Sequence, residues 1–237
     1  MEKKRALTLV INAVLAGGLL LGAAGASAHE KGDIIVRAGA VHLANDRDDN
    51  QDYSVNGTDI PNSNVEVAHN TQLGLTISYM LTDHIGVELL AATPFAHDIK
   101  VDVSTIDPSV GKVNGGSTKH LPPTLSLQYF PMDSASKFQP YIGVGVNYTF
   151  FFEEHVDSDL DEFLGLSGGG LEIDSNWGFA GQIGIDYQIT DKWLVNAAVW
   201  HIDLETDGKF TFDGGTEVKT VEDLDPWVFM FSLGYKF

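Results

Sequence analysis

The chain has no cysteine, few basic residues and almost no stretch with helical periodicity. The absence of cysteine excludes a disulfide scaffold, a thiolate zinc site and a thiol nucleophile. Only 14 residues are Lys or Arg, against 33 Asp or Glu, and the net charge is −19. Because nucleic-acid binding needs a basic face, this balance argues against a nucleic-acid partner. Long apolar runs are also absent after residue 28, so we expect no helical membrane span there.

The first 28 residues have the pattern of a secretory signal peptide. Residues 3–5 form a basic head, residues 7–21 are mostly apolar, and residues 26–28 read Ala-Ser-Ala. A short apolar stretch followed by small residues is typical of a cleaved signal, and we predict cleavage before His29. A membrane-spanning anchor is the alternative interpretation, which the shortness of the apolar stretch disfavours.

Apolar and polar residues alternate in eight segments of the remaining chain. The segments are residues 33–43, 71–81, 85–95, 123–130, 141–151, 177–189, 193–203 and a last one that begins near residue 225. In the second, Leu73, Leu75 and Ile77 share one face, and smaller or polar residues share the other. A period of two predicts β-strands.

The connections between these segments alternate in length. Short turns are expected at residues 82–84, 131–138 and 190–192, and long loops at residues 44–64, 97–118, 154–172 and 207–223. An even number of strands with this alternation is the layout of an outer-membrane barrel. We therefore predict an all-β fold: residues 29–237 form one domain, an eight-stranded antiparallel transmembrane β-barrel with long extracellular loops and short periplasmic turns.

The apolar face of each segment is expected to point outward into membrane lipid. Strands can cross a bilayer only as a closed barrel, because every backbone polar group needs a partner there. The other face is small and polar and carries Arg37, Glu88, Asp186 and Lys236, which we expect to pair across the lumen. A soluble eight-stranded barrel would instead place large apolar side chains inside.

Two features of the predicted barrel indicate a route for a solute. Leu90 and Trp200 lie on the inner faces of their strands, where they could form an apolar constriction or simply pack a narrow lumen. Pro122 and Pro123 fall in the barrel wall and lack the N–H group that a β-ladder requires, so they could open a gap between strands. Alternatively, these prolines only begin a strand above the membrane.

The signatures of metal sites and enzymes are missing. Asp46, Asp48 and Asn50 have the first spacings of a calcium loop, but Gln51 and Gly57 occupy positions that need Gly and Glu. Asp157, Asp159 and Asp161 fail in the same way. The sequence contains no H-E-x-x-H, no G-x-S-x-G and no dinucleotide fingerprint. We expect no metal, no cofactor and no enzymatic activity.

The segments NTQLGLTISYM, HLPPTLSLQYF and DPWVFMFSLGYKF resemble the OmpW family of outer-membrane proteins. The resemblance spans nearly the whole mature chain. It implies a Gram-negative outer-membrane barrel whose lumen is an apolar channel at the extracellular mouth and closes toward the periplasm. Uptake of small hydrophobic molecules is implied, with Leu90 and Trp200 at the gate and Pro122 and Pro123 at a lateral exit into lipid.

The last strand resembles the C-terminal signal of outer-membrane barrels, which the barrel-assembly machinery reads. Tyr235 and the terminal Phe237 carry this resemblance. Two alternatives to hydrophobic uptake stay open. The barrel could be structural, with acidic loops that bind host molecules, phage or bacteriocins, or it could conduct small polar solutes such as amino acids. The sequence leaves the oligomeric state unknown.

Overall fold

The structure is a computed structural model that describes residues 28–44, 53–60, 64–67, 70–104, 106–223 and 225–237. The predicted signal peptide lies outside these residues except for Ala28. The strands in chain order are β1 (Ile34–Ala44), β2 (Ser54–Val55), β3 (Thr58–Asp59), β4 (Asn64–Val67), β5 (Asn70–Met80), β6 (Ile85–Ala92), β7 (Phe95–Asp102), β8 (Lys112–Leu121), β9 (Thr124–Tyr129), β10 (Phe138–Val156), β11 (Gly170–Ile173), β12 (Asn176–Gln188), β13 (Trp193–Asp203), β14 (Glu205–Thr211), β15 (Glu217–Asp223) and β16 (Trp227–Lys236). One helix, α1 (Ser158–Leu164), follows β10.

Eight antiparallel strands close into a barrel, which confirms the predicted fold. Their order is β12, β13, β16, β1, β5, β6, β9 and β10, and the pairing of β10 with β12 completes the circle. The first and last strands of the chain, β1 and β16, are neighbours in register from Ile35 opposite Lys236 to Ala44 opposite Trp227. Closure leaves none of these eight strands with an unpaired edge, as a bilayer requires.

The outer surface of the barrel is a band of large apolar side chains. Phe179 on β12 is 75% exposed and Phe231 on β16 is 71% exposed, and every barrel strand carries at least one large apolar side chain that is exposed. The alternating inner residues are buried. Such an outward stripe is stable against hydrocarbon chains and unfavourable in water, so the predicted orientation toward lipid is confirmed.

The predicted long loops are partly wrong, because much of their length is β-structure. The barrel wall continues above the eight-stranded part through β4, β7, β8 and the upper end of β10. A second sheet, in the order β11, β14, β15, β2, β3, forms the other side. The outward positions of β7 and β8 carry Asp98, Lys100 and Lys119 in place of apolar residues, so these strands lie above the hydrocarbon and have a loop-like composition.

Asp157, Asp159 and Asp161, which have the first spacings of a calcium loop, lie at the start of the short helix α1. The Asp157 side chain accepts a hydrogen bond from the Asp159 N–H at 3.1 Å and caps the helix. Gly165 ends the helix at φ 64°, in the left-handed region that suits glycine. Leu160 turns inward and is buried.

Neither a cluster of metal-binding side chains nor a membrane-spanning helix occurs in the residues that the structure describes. In those ranges, no group of three or more His, Cys, Asp or Glu side chains is placed to hold a metal ion. Asp46, Asp48 and Asn50 lie outside the described residues. In the same part of the chain, no helix is long and apolar enough to cross a bilayer.

Candidate functional site

A buried ion-pair network fills the lower part of the lumen. The Arg37 guanidinium donates to Asp186 through Nε, at 3.0 Å, and through Nη2. Its Nη1 donates to Glu88 at 3.0 Å and to Ser78 at 2.6 Å. Arg37, Glu88 and Asp186 are each no more than 1% exposed. The structure therefore joins three of the four predicted lumen charges in one cluster.

Neutral side chains and a histidine complete this network. Gln182 donates to Glu88 at 2.7 Å, and Asn196 donates to Asp186 at 2.8 Å. The His29 Nε2 lies 3.0 Å from Asp186 Oδ2, and its ring meets the edge of Phe130 at 4.7 Å between centroids. His29 is fully buried below the network. No periodicity precedes β1, so the sequence offered no signal that this residue folds back into the lumen.

Lys236 does not join the network, contrary to the prediction that all four charges pair across the lumen. Its ammonium group lies 3.4 Å from the carboxylate of Asp33, immediately before β1. The N–H of Lys236 donates to the carbonyl of Lys192 in a periplasmic turn. Because β16 ends here, Lys236 stands at the barrel rim rather than at the height of Arg37.

An apolar layer lies directly above the charged network. Leu90 and Trp200 are 4% and 1% exposed and belong to one buried cluster together with Val41, Ile202 and Met230. Leu90 is the inward residue next above Glu88, and Trp200 is next above Ala198. The indole Nε1 of Trp200 has no hydrogen-bond partner among the described residues. The two predicted gate residues thus belong to the same apolar cluster of the lumen.

Above this layer the lumen contains an apolar cavity. It holds about 840 Å³ of empty space, including the part open to solvent. Its wall includes Leu43, Ile99, Phe151, Ile202, Leu204 and Phe210. Ile202 is the next inward residue above Trp200 on β13, so the Leu90 and Trp200 layer lies beneath the floor of the cavity.

The barrel wall is interrupted beside this cavity, at the predicted proline pair. The ladder between β6 and β9 ends with Leu90 opposite Thr124, and that between β7 and β8 starts with Phe95 opposite His120. Between these points, all within the described chain, residues 91–94 and residues 121–123 form no ladder pair with each other. Each arm contains proline here, and Pro122 lines the cavity. Proline supplies no N–H to a ladder, which explains the break.

The break opens on one side of the proline pair only. On the other side, the carbonyl of Pro123 accepts from the Tyr148 N–H at 3.1 Å and from the Asn147 side chain at 3.2 Å. Asn147 also donates to the Thr124 hydroxyl at 2.9 Å. The seam between β9 and β10 is therefore closed, and the seam between the β6–β7 and β8–β9 arms is the interrupted one.

The C-terminal aromatic residues lie on the outer surface near the periplasmic rim. Phe237 is 70% exposed and packs edge-on against Tyr235 at 4.7 Å between centroids. Tyr235 in turn meets Trp193 at 4.9 Å. The Phe237 N–H donates to the Ile34 carbonyl at 2.9 Å, so the end of the chain is joined to β1.

Comparison with known proteins agrees with this architecture. The model of the OmpW family matches residues 30–237. The chain belongs to the OmpW family. Outer membrane protein W of Escherichia coli (strain K12) is 41% identical over 100% of both chains, and its Vibrio cholerae counterpart is 43% identical over 89% of this chain and 91% of its own. The crystal structure of OprG from Pseudomonas aeruginosa, 39% identical, superposes with a TM-score of 0.80 over 90% of this chain and 99% of OprG.

Membership of the OmpW family places the chain in the outer membrane of a Gram-negative bacterium, with its apolar band in lipid. The relatives carry names of outer membrane proteins rather than of enzymes. A more distant relative, 25% identical over 77% of this chain and 79% of its own, is named the dibenzothiophene metabolism operon protein PahQ of Pseudomonas aeruginosa.

Proposed function

We propose that this OmpW-family barrel is a passive channel for small hydrophobic molecules. A solute enters the apolar cavity from outside, rests on the layer that contains Leu90 and Trp200, and leaves sideways through the seam beside Pro122 and Pro123. The observation that carries the proposal is the position of the interrupted seam, which borders an apolar cavity above a sealed lower lumen.

The lower lumen favours a sideways route over a downward one. A solute moving toward the periplasm would have to separate Arg37 from Asp186 and Glu88, which are fully buried and hydrogen-bonded. Exposing a buried charge without its partner costs several kcal/mol. A solute that moves into the bilayer keeps its apolar surface out of water, which is worth about 25 cal/mol for each Å².

The name of one relative is consistent with this choice of solute. PahQ is described as part of a dibenzothiophene metabolism operon, and dibenzothiophene is an apolar aromatic compound. An operon for its metabolism would benefit from a protein that brings such compounds across the outer membrane.

The experiment compares rates of limonene uptake in cells that lack their own OmpW-family protein and express this chain. In one variant Pro122→Val and Pro123→Val restore N–H groups to the seam, and we expect uptake to fall to the rate of cells without the protein. Pro140→Val is the matched control, because Pro140 lies in the wall on β10, opposite Ile185, far below the seam. Uptake in this control should equal that of the unchanged chain.

A second variant tests the layer beneath the cavity. Trp200→Lys places a charge below Ile202, and we expect it to slow the loading of an apolar solute. If neither this variant nor the double proline variant slows uptake, the proposed route is wrong.

The two alternative functions predict different results. A channel for small polar solutes would admit amino acids in liposome swelling, although the buried network leaves the lower lumen closed to them. A structural or interaction barrel would lose its function when the extracellular extension is trimmed and would tolerate both lumen variants.

A further inference from the structure

Three aromatic rings form a stack at the wall of the upper cavity, and a fourth ring packs against it at an angle. His97 and His120 lie nearly parallel, with centroids 4.9 Å apart and planes 5° apart. The Phe95 ring is nearly parallel to both, at 6.4 Å from His97 and 5.4 Å from His120. The Phe151 ring is tilted by 54° and lies 5.4 Å from His120. His97, His120 and Phe151 all line the cavity. A flat aromatic molecule finds matching ring faces here.

His120 places a buried ring nitrogen without a hydrogen-bond partner in this wall, as far as the described residues go. It is 6% exposed, and its Nδ1 is buried without a hydrogen-bond partner among the described residues. The nearby threonine hydroxyls are engaged, since Thr149 donates to Asn147 at 2.7 Å and Thr206 donates to the Asp174 carbonyl at 2.7 Å. A buried polar atom without a partner costs about 1–3 kcal/mol, so such atoms normally mark a missing ligand or water.

The histidine is neutral under physiological conditions. Burial, assisted by the neighbouring His97, lowers the pKa of His120 from 6.5 to about 3. β8 lies above the hydrocarbon, where Lys119 faces outward. A neutral imidazole has one nitrogen that donates and one that accepts a hydrogen bond, and it offers no charge to an anion.

We propose that the stack of Phe95, His97 and His120, together with Phe151, is a binding site for flat aromatic solutes that carry a hydroxyl group. The solute's rings pack on the stack and the apolar wall, and its hydroxyl group hydrogen-bonds to the imidazole of His120. This inference rests on the proposed function, because it assumes that the cavity admits apolar solutes, and it narrows their class to phenol-like molecules.

The experiment uses 1-naphthol and naphthalene, which share their rings and differ in one hydroxyl group. The full chain is placed in phosphatidylcholine nanodiscs, and the binding of each probe is measured by equilibrium dialysis against empty nanodiscs. We expect saturable binding of both probes, with 1-naphthol bound more tightly than its partition into empty discs predicts. His120→Phe keeps the stack and removes the nitrogens, so it should weaken 1-naphthol binding by about fivefold, as one net hydrogen bond predicts, and leave naphthalene binding unchanged.

Two further variants keep the outcome interpretable. His120→Gln retains a donor and an acceptor and should keep part of the preference for 1-naphthol. His155→Phe is the matched control, because His155 is an exposed histidine on the upper part of β10, and it should change neither affinity. The heat-dependent mobility of each variant on a gel reports whether its barrel is folded.

The results separate failure of this inference from failure of the proposed function. If both probes bind the unchanged chain and His120→Phe affects them equally or not at all, the partner of His120 is water and the inference is overturned. If neither probe binds saturably, the cavity is not a site for hydrophobic solutes, and both proposals are overturned.

Discussion

Arg37 on β1 and Asp186 on β12, 149 positions apart in the chain, form a two-bonded ion pair inside the barrel. The same guanidinium also bonds to Glu88 on β6, so one cation serves two buried carboxylates. Strands from three parts of the wall are thereby joined through a single side chain. The lower lumen is closed as long as this arrangement persists.

Removing the cation should destabilise the barrel more than removing either anion. Arg37→Met leaves two carboxylates buried without a counter-charge, which typically costs about 3–5 kcal/mol. Asp186→Asn leaves Arg37 paired with Glu88 and should cost less. Equilibrium unfolding in urea, with lipid vesicles present, measures both changes. Lys119→Met is the control, since its exposed pair with Glu153 should contribute about 0–1 kcal/mol.

An equal effect of Arg37→Met and Asp186→Asn would contradict this account. It would mean that Glu88 is not paired with Arg37 in the folded barrel.

Gly39 allows the first and last strands to meet. A Cβ atom at this position would overlap the carbonyl oxygen of Phe231 and the Cα of Ser232 on β16. Since backbone atoms yield little, Gly39→Ala should lower the folded fraction after refolding into detergent, measured by heat-dependent gel mobility. At Gly181, by contrast, a Cβ would meet no atom within 4 Å. Gly181→Ala should therefore refold like the unchanged chain, and a similar loss in both variants would refute the close-approach argument.

The eight membrane strands could be predicted because lipid imposes a strong pattern on them. Outward positions such as Phe179 and Phe231 must be apolar, and the inward ones are small or polar. In the extension above the membrane the outer face of the wall meets water, so polar residues such as Asp98 and Lys100 occupy outward positions. These strands therefore lack the band of outward apolar residues that marks the membrane strands. For this reason β7 and β8 read as loop from sequence alone.

The contents of the lumen were predictable only in part. The inward direction of the Arg37, Glu88 and Asp186 side chains follows from the strand period of two. This period predicts the side of the wall to which a side chain points, but not its height along the barrel axis. Height depends on register, and register places Lys236 beside Asp33 at the rim. His29 precedes the first strand, where no period exists, so its position beside Asp186 required the three-dimensional structure.

The terminal aromatic residue is expected to act during assembly more than in the folded barrel. Phe237 is 70% exposed and its ring contacts mainly Tyr235. Its hydrogen bond to Ile34 uses the backbone, which Phe237→Ala retains. We expect this variant to refold normally in detergent and to reach the outer membrane of cells in much smaller amounts. Phe231→Ala, with a comparably exposed ring in the middle of β16, is the control.

A poor yield of Phe237→Ala in detergent refolding as well would argue for a structural role instead. Normal levels in the outer membrane would remove Phe237 from the predicted assembly signal.

The buried His120 should make the extracellular extension sensitive to acid. Its pKa is lowered to about 3 by burial and by His97, whereas in an unfolded segment it would be near 6.5. Between these values the unfolded segment binds a proton that the folded one does not, so stability falls as pH decreases through this window.

At about pH 4.5 we expect amide hydrogen exchange in β7 and β8 to be faster in the unchanged chain than in His120→Phe. At about pH 7 the difference between the two chains should be smaller. Comparing the two chains at each pH cancels the intrinsic dependence of exchange on acidity. His155→Phe should behave like the unchanged chain at both values, because the side chain of His155 is exposed and is not part of the cavity wall. An identical pH response in the unchanged chain and His120→Phe would mean that His120 is solvated. It would contradict the claim that burial keeps this imidazole neutral in the cavity wall.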